Sequence, residues 1–153
     1  PEIIFGLNLG LQYQNFDLSI FFQGQTRVYT YDGDFARLGT SDFSNTVVAR
    51  AKNRWTVDNP NGTMPRADAF QPGSTTFYLF DATFVRLKSM EIGYSLPKGI
   101  PSKIGLDDIR VYANGYNLLT WAKEIKWADP ESSGGFLYYP QLRTINLGIN
   151  VKF

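Results

Sequence analysis

Residues Thr144 to Phe153 read TINLGINVKF, in which Ile145, Leu147, Ile149, Val151 and Phe153 alternate strictly with Thr144, Asn146, Gly148, Asn150 and Lys152. A period of two sends successive side chains to opposite sides of an extended strand, so this stretch has one apolar face and one polar face. The rhythm runs to Phe153 itself. Terminal residues ordinarily fray, and an apolar strand that ends on an aromatic ring needs something to hold it.

The same alternation recurs upstream. Phe5, Leu7, Leu9, Leu11 and Tyr13 alternate with Gly6, Asn8, Gly10 and Gln12. After a short turn at Gln14-Asn15, Phe16, Leu18, Ile20 and Phe22 continue against Asp17, Ser19, Phe21, Gln23 and Gln25, which predicts a hairpin. From about 29 to 76 the period vanishes into polar sequence with Gly and Pro, too long for an ordinary connection in a compact domain. Within it NTVVARAKNRW, residues 45–55, would form one short helix. A third strand is expected over about 77–96. There Val85 and Leu87 share one parity and Met90, Ile92, Tyr94 and Leu96 the other, so a β-bulge near Lys88-Ser89 would return all six to one face. PKGIPSKIGLD, residues 97–107, reads as a turn region. A fourth strand follows with Ile109, Val111, Ala113 and Gly115 opposite Arg110, Tyr112, Asn114 and Tyr116, ending near Trp121. A second long loop covers about 122–139 before the opening motif supplies the fifth strand. If the strands are antiparallel, both long loops leave from one end and both short connections from the other.

Composition narrows the chemistry. The 153 residues are 43% hydrophobic and 16% aromatic, while only 19% are charged, below the roughly one quarter usual in soluble globular chains. The net charge of +1 gives no footprint for nucleic acid. Without Cys or His there is no zinc site of the usual kind, no thiol chemistry, no disulfide and no His-assisted nucleophile. No catalytic residues, metal ligands or cofactor are expected, and the chain is not read as an enzyme. No run of about eighteen apolar residues offers a membrane helix, so any membrane role falls to strands. Pro1-Glu2-Ile3 does not begin like a signal peptide, and the start reads as a cut through a longer chain.

Alternation alone fits either a membrane β-barrel or a soluble carbohydrate-binding β-sandwich, because each has one apolar and one polar strand face. Two features favour the barrel. The polar faces are built mostly from Gly, Asn, Gln, Ser and Thr, and the apolar faces carry no charge, as expected where a bilayer-facing Arg or Lys costs about 2–4 kcal/mol. Tyr13, Phe16, Tyr94, Trp121 and Phe153 also stand near strand ends, where aromatic girdles form.

The stretches FVRLKSMEIGYSLP (84–97), IRVYANGYNLLTW (109–121), ADPE (128–131) and YPQLRTINLGINVKF (139–153) closely resemble, in order and spacing, the end of SusC/RagA-family TonB-dependent outer-membrane transporters. NRWT at residues 53–56 and Met64-Pro65-Arg66 resemble that family too. The resemblance implies an all-β fold: the C-terminal five antiparallel strands, a meander, of a large transmembrane β-barrel with long external loops. It implies a wall segment of a nutrient importer for oligosaccharides or peptides in the outer membrane of a Gram-negative, Bacteroidetes-type cell. The implied partners are a SusD-like surface lipoprotein lid, the TonB complex through parts of the family's chain that this sequence lacks, the lipid bilayer, and a glycan or peptide cargo. It also implies that Ile145, Leu147, Ile149, Val151 and Phe153 form the signal read by the barrel-assembly machinery.

Candidate contact residues follow. Arg54, Trp55 and Trp127 fall in the expected external loops, where an indole would stack on a sugar or pack against the lid protein. Asp32-Gly33-Asp34 and Asp129-Pro130-Glu131 offer paired carboxylates for calcium or for acid and base roles, although turn chemistry accounts for both more simply. Arg86, Lys88, Glu91, Arg110 and Arg143 are expected to line the inner face and to form ion pairs across neighbouring strands.

Overall fold

The computed structural model describes residues 1–31, 52–66, 75–126, 128–132, 139 and 141–153. Contacts divide the chain into two units. The first comprises Pro1–Val28, Asp81–Pro130 and Tyr139–Phe153, and the second Tyr29–Phe80 and Glu131–Tyr138.

The first unit is built on one antiparallel sheet. Its strands are β1 (Ile3–Tyr13), β2 (Phe16–Thr26), β5 (Phe84–Ser95), β6 (Asp108–Ala122) and β7 (Thr144–Lys152), in the order β1-β2-β5-β6-β7. Two short strands, β3 (Tyr29–Tyr31) and β4 (Leu79–Asp81), pair separately. The third expected strand therefore begins later than its sequence suggests. Residues Thr76–Tyr78 form a 3-10 turn capped by Thr75, whose hydroxyl accepts from the Phe77 amide, and β5 starts only at Phe84.

Register explains how one face stays apolar across all five strands. Neighbouring strands align Tyr13, Phe16, Tyr94, Val111 and Ile149 in one row, and Leu11, Leu18, Ile92, Ala113 and Leu147 in the next. Further rows hold Leu9, Ile20, Met90, Gly115 and Ile145, then Leu7, Phe22, Leu87 and Leu119. The expected bulge is present. Phe21 opposes Ser89 and Phe22 opposes Leu87, so Lys88 is the extra residue that keeps Leu87 and Met90 on the same face. β6 answers with its own irregularity. Leu87 pairs with Leu119 and Ser89 with Tyr116, which leaves Asn117 and Leu118 outside the ladder, with Asn117 at a left-handed φ of 52°.

The intervening rows are mostly polar: Gln12, Asp17, Gly93, Tyr112 and Gly148; Gly10, Ser19, Glu91, Asn114 and Asn146; Asn8, Phe21, Ser89, Tyr116 and Thr144, with one Phe; Gly6, Gln23, Arg86 and Thr120. Glycine is structural at two of these positions. The Tyr112 ring covers Gly148 and the Arg110 guanidinium covers Gly93, so a Cβ at either would collide with its neighbour.

A soluble sandwich would bury Leu7 and Leu147 between two sheets. Instead they are 50% and 84% exposed on a single sheet. β1 and β7 lie at the sheet's two edges, and among the described residues neither has a second neighbour.

In the second unit, residues 53–64 fold on themselves. The Trp55 amide donates to the Met64 carbonyl (2.7 Å) and the Met64 amide to the Asn53 carbonyl (3.1 Å). Thr56 and Asn59 exchange backbone bonds, and Asn59 Nδ2 donates to the Arg54 carbonyl at 3.1 Å. Of the expected helix at 45–55, residues 45–51 lie outside the described residues. Arg54 belongs to an isolated bridge with Met64, so the Asn59-centred turn overrides helix propensity at that end.

Candidate functional site

The polar face holds two charged networks. In the first, Arg110 on β6 donates from Nε to Asp17 Oδ1 at 3.0 Å and from Nη2 to Asp17 Oδ2 at 2.5 Å and Glu91 Oε1 at 2.8 Å. Asn114 Nδ2 then donates to Glu91 Oε2 at 3.2 Å, and Asn146 Nδ2 to Asn114 Oδ1 at 2.9 Å. The chain of bonds ties β2, β5, β6 and β7 together. Adjacent polar rows place these groups within reach, so the expected pairing of Glu91 with Arg110 is found, with Asp17 as an additional partner.

The second network fastens a loop. Arg86, whose side chain is 3% exposed, donates from Nη2 to Asp129 Oδ1 at 2.5 Å and from Nε to Thr120 Oγ1 at 2.9 Å, and its Cζ lies 5.2 Å from the centre of the Phe84 ring. Arg86 thus pairs with a loop carboxylate, and the guanidinium occupies the Asp129 oxygen that a calcium reading would need. Asp32-Gly33-Asp34 lies outside the described residues.

Both ends of the same loop are tied down. Near β6 the Lys123 amide donates to the Thr83 carbonyl at 3.1 Å, Lys123 Nζ donates to Asp81 Oδ2 at 2.7 Å, and the Asp81 amide donates to Glu124 Oε2 at 2.7 Å. The Lys123 ammonium, helped by the Thr83 hydroxyl and, less, by the Thr83 amide, holds the Asp81 carboxyl down to about 2. Near β7, Asp129 Oδ2 accepts from the Gln141 amide at 3.4 Å, Lys88 Nζ donates to Gln141 Oε1 at 3.1 Å, and Asn117 Nδ2 donates to the Leu142 carbonyl at 3.1 Å. The paired irregularities of β5 and β6 thus aim Lys88 and Asn117 at the approach to β7. Arg143 is exposed and joins neither network.

Beside the loop lies a cleft of about 380 Å³ lined by Arg86, Asn117, Thr120, Ile125, Lys126 and Gln141. Asn117 Oδ1 is buried without a hydrogen-bond partner among the described residues.

No family model matches the chain. It is 34% identical to TonB-dependent receptor P3 and 33% identical to TonB-dependent receptor P26, both of Formosa agariphila, along its whole length. It spans only 16% and 17% of those two proteins. It also superposes on the RagAB peptide transporter with a TM-score of 0.80 at 27% identity, covering 97% of this chain and 17% of the other. With RagAB in its open-open state the TM-score is 0.77 at 26% identity, over 98% of this chain and 17% of that one.

The chain is a barrel segment of a TonB-dependent receptor of the SusC/RagA type. The apolar rows match the face that an outer-membrane barrel turns to lipid, and the polar rows the face that it turns to its lumen. The aromatic residues fit. Tyr13, Phe16 and Tyr94 form one girdle row, with the Phe16 and Tyr94 rings 4.6 Å apart, and Trp121 stands at the opposite end. The relatives of this TonB-dependent receptor segment are receptors and an importer rather than enzymes.

Of the other residues singled out by sequence, Arg54 and Trp55 belong to the self-bonded segment of the second unit, and Trp127 lies outside the described residues. Ile145, Leu147, Ile149 and Val151 stand on the apolar face of the edge strand β7, Phe153 follows its last residue, and all five are exposed. Sequence reasoning missed Asp81, Thr83, Thr120 and Lys123, ordinary polar residues whose role comes from contacts across about forty positions of chain.

Proposed function

We propose that the chain completes part of the wall of a TonB-dependent importer that takes up peptides or oligosaccharides across the outer membrane of a Gram-negative, Bacteroidetes-type cell. The observation that carries this reading is the uncharged apolar face shared by all five strands, in a chain similar along its whole length to TonB-dependent receptors and to the RagAB peptide importer. A SusD-like lipoprotein caps the barrel, as the RagAB resemblance suggests. Coupling to TonB and the rest of the wall come from the five-sixths or so of the relatives' length that this chain does not span.

In this reading the loops at about 29–76 and 122–139 lie outside the cell, and Arg54, Trp55 and Trp127 contact the lid or the cargo. Ile145, Leu147, Ile149, Val151 and Phe153 are bound by the barrel-assembly machinery before insertion. A membrane-impermeant maleimide tests the orientation: Asn61→Cys in the full-length receptor should be labelled on intact cells. Labelling only after membrane disruption would reverse it. Uptake by cells with and without the gene, offered peptides and oligosaccharides, tests the transport itself.

A further inference from the structure

Buried side chains gather at one end of the luminal face, where a water-filled barrel would leave polar rows wet. Ala82, Phe84, Arg86 and Ile125 are all at most 2% exposed. Arg86 among them is covered by the loop of residues 123–126 and 128–130, which carries Ile125 and Asp129. Arg86 belongs to the luminal row of Gln23 and Thr120, so Asp129 reaches it only from the lumen side. The loop therefore folds inward, and it is fastened at its β6 end, its middle and its β7 end by the bonds described above.

We propose that Arg86 and Asp129 latch this loop against the luminal wall, and that the latched loop, with the cleft beside it, limits the size of cargo that passes the outer part of the lumen. This rests on the importer reading. A segment held at three points narrows the lumen as a fixed shelf, because release requires the buried guanidinium and carboxylate to part together. The Lys123–Asp81 pair, with an exposed ammonium, is the weaker fastening and sets the hinge end. Arg86 and Asp129 are positioning residues, acting on cargo through the loop. The cleft's mixed lining of Thr120, Gln141, Lys126 and Ile125 suits a chain with both polar and apolar groups, such as an extended peptide.

The test uses the full-length receptor with its surface partner, in cells offered a graded mixture of peptides from a protein digest and, in parallel, a ladder of labelled dextrans. Asp129→Asn keeps the side-chain shape and removes the charge. We expect trypsin to cut after the exposed Lys126 faster on intact cells, and the ratio of long-peptide to short-peptide uptake to rise by about tenfold, the scale of modest pocket discrimination. In Arg86→Cys/Asp129→Cys, a short bis-maleimide linker should restore both the slow cleavage and the original ratio. That comparison is made on one protein before and after linking, so it decides the matter even if Asp129→Asn reaches the surface poorly. Faster cleavage with an unchanged ratio, equal loss of uptake at every length, or cleavage insensitive to both changes would each overturn the latch. Failure of the unaltered receptor to import either peptides or dextrans would instead overturn the importer reading, which the trypsin measurement does not depend on.

Discussion

On one side of the sheet Leu147 stands 84% exposed in a row of apolar side chains. On the other, Arg86 is 2% exposed and fully engaged by Asp129 and Thr120. The two faces alternate along the same strands, yet they reverse the soluble arrangement of apolar inside and charged outside. The lipid face needs no partner side chains, since hydrocarbon supplies the contact, and it tolerates no charge. The luminal face carries the charge and must satisfy each group with a neighbour. The lesson is that one alternation serves two solvents, with specificity concentrated on the side where directional bonds form.

Four substitutions or conditions press on this contrast, the largest effect first. Phe153→Glu in the full-length receptor removes the terminal aromatic of the assembly signal, and folded, surface-exposed protein should fall to a small fraction of normal. Normal amounts of heat-modifiable barrel on a gel would remove Phe153 from that role. Next, Arg86→Ala leaves Asp129 buried without its cation and should destabilise the loop region by about 3–5 kcal/mol. Hydrogen exchange at residues 123–126 reads this directly, and unchanged protection would mean the pair contributes little.

Leu147→Arg sets a charge on the lipid face. It should lower barrel stability by about 2–4 kcal/mol in lipid vesicles, while the same change at its luminal neighbour Asn146 should cost far less. Equal costs at the two positions would erase the distinction between the faces. The smallest effect concerns acid. Asp81 titrates at about 2 in the folded chain against an ordinary 3.8, so its contribution is complete above pH 4 and lost as pH falls through the folded value. With the Lys123 ammonium exposed, the loss should be on the order of 1 kcal/mol, confined to the β6 end of the loop and absent in Asp81→Asn. Protection factors there, corrected for the intrinsic pH dependence of exchange, that stay constant between pH 4 and pH 2 would contradict it.

The strands were legible because a half-buried strand writes its faces as a period of two. The apolar set from Phe5 to Phe153 follows from that period, and so does the bulge at Lys88, since only an extra residue reconciles the parity of Leu87 with that of Met90. That charged residues of the polar face pair across neighbouring strands was legible for the same reason, but which carboxylates Arg110 takes, Asp17 and Glu91, was not. Phe77 was assigned wrongly to a strand because the Thr75 cap and the short β4 are local bonding choices that alternation does not report.

What the sequence determined by itself is the five long strands and the two faces of each, because these depend on patterns a few residues long. The inward fold of the loop after β6, the partner of Arg86 and the anchoring of Asp81 were decided only in three dimensions. Asp129 and Arg86 stand 43 positions apart, as do Asp81 and Glu124. A buried charge is held by whichever opposite charge the closed chain brings within a hydrogen bond's length, and the alternation that writes the strand faces carries no record of that distance.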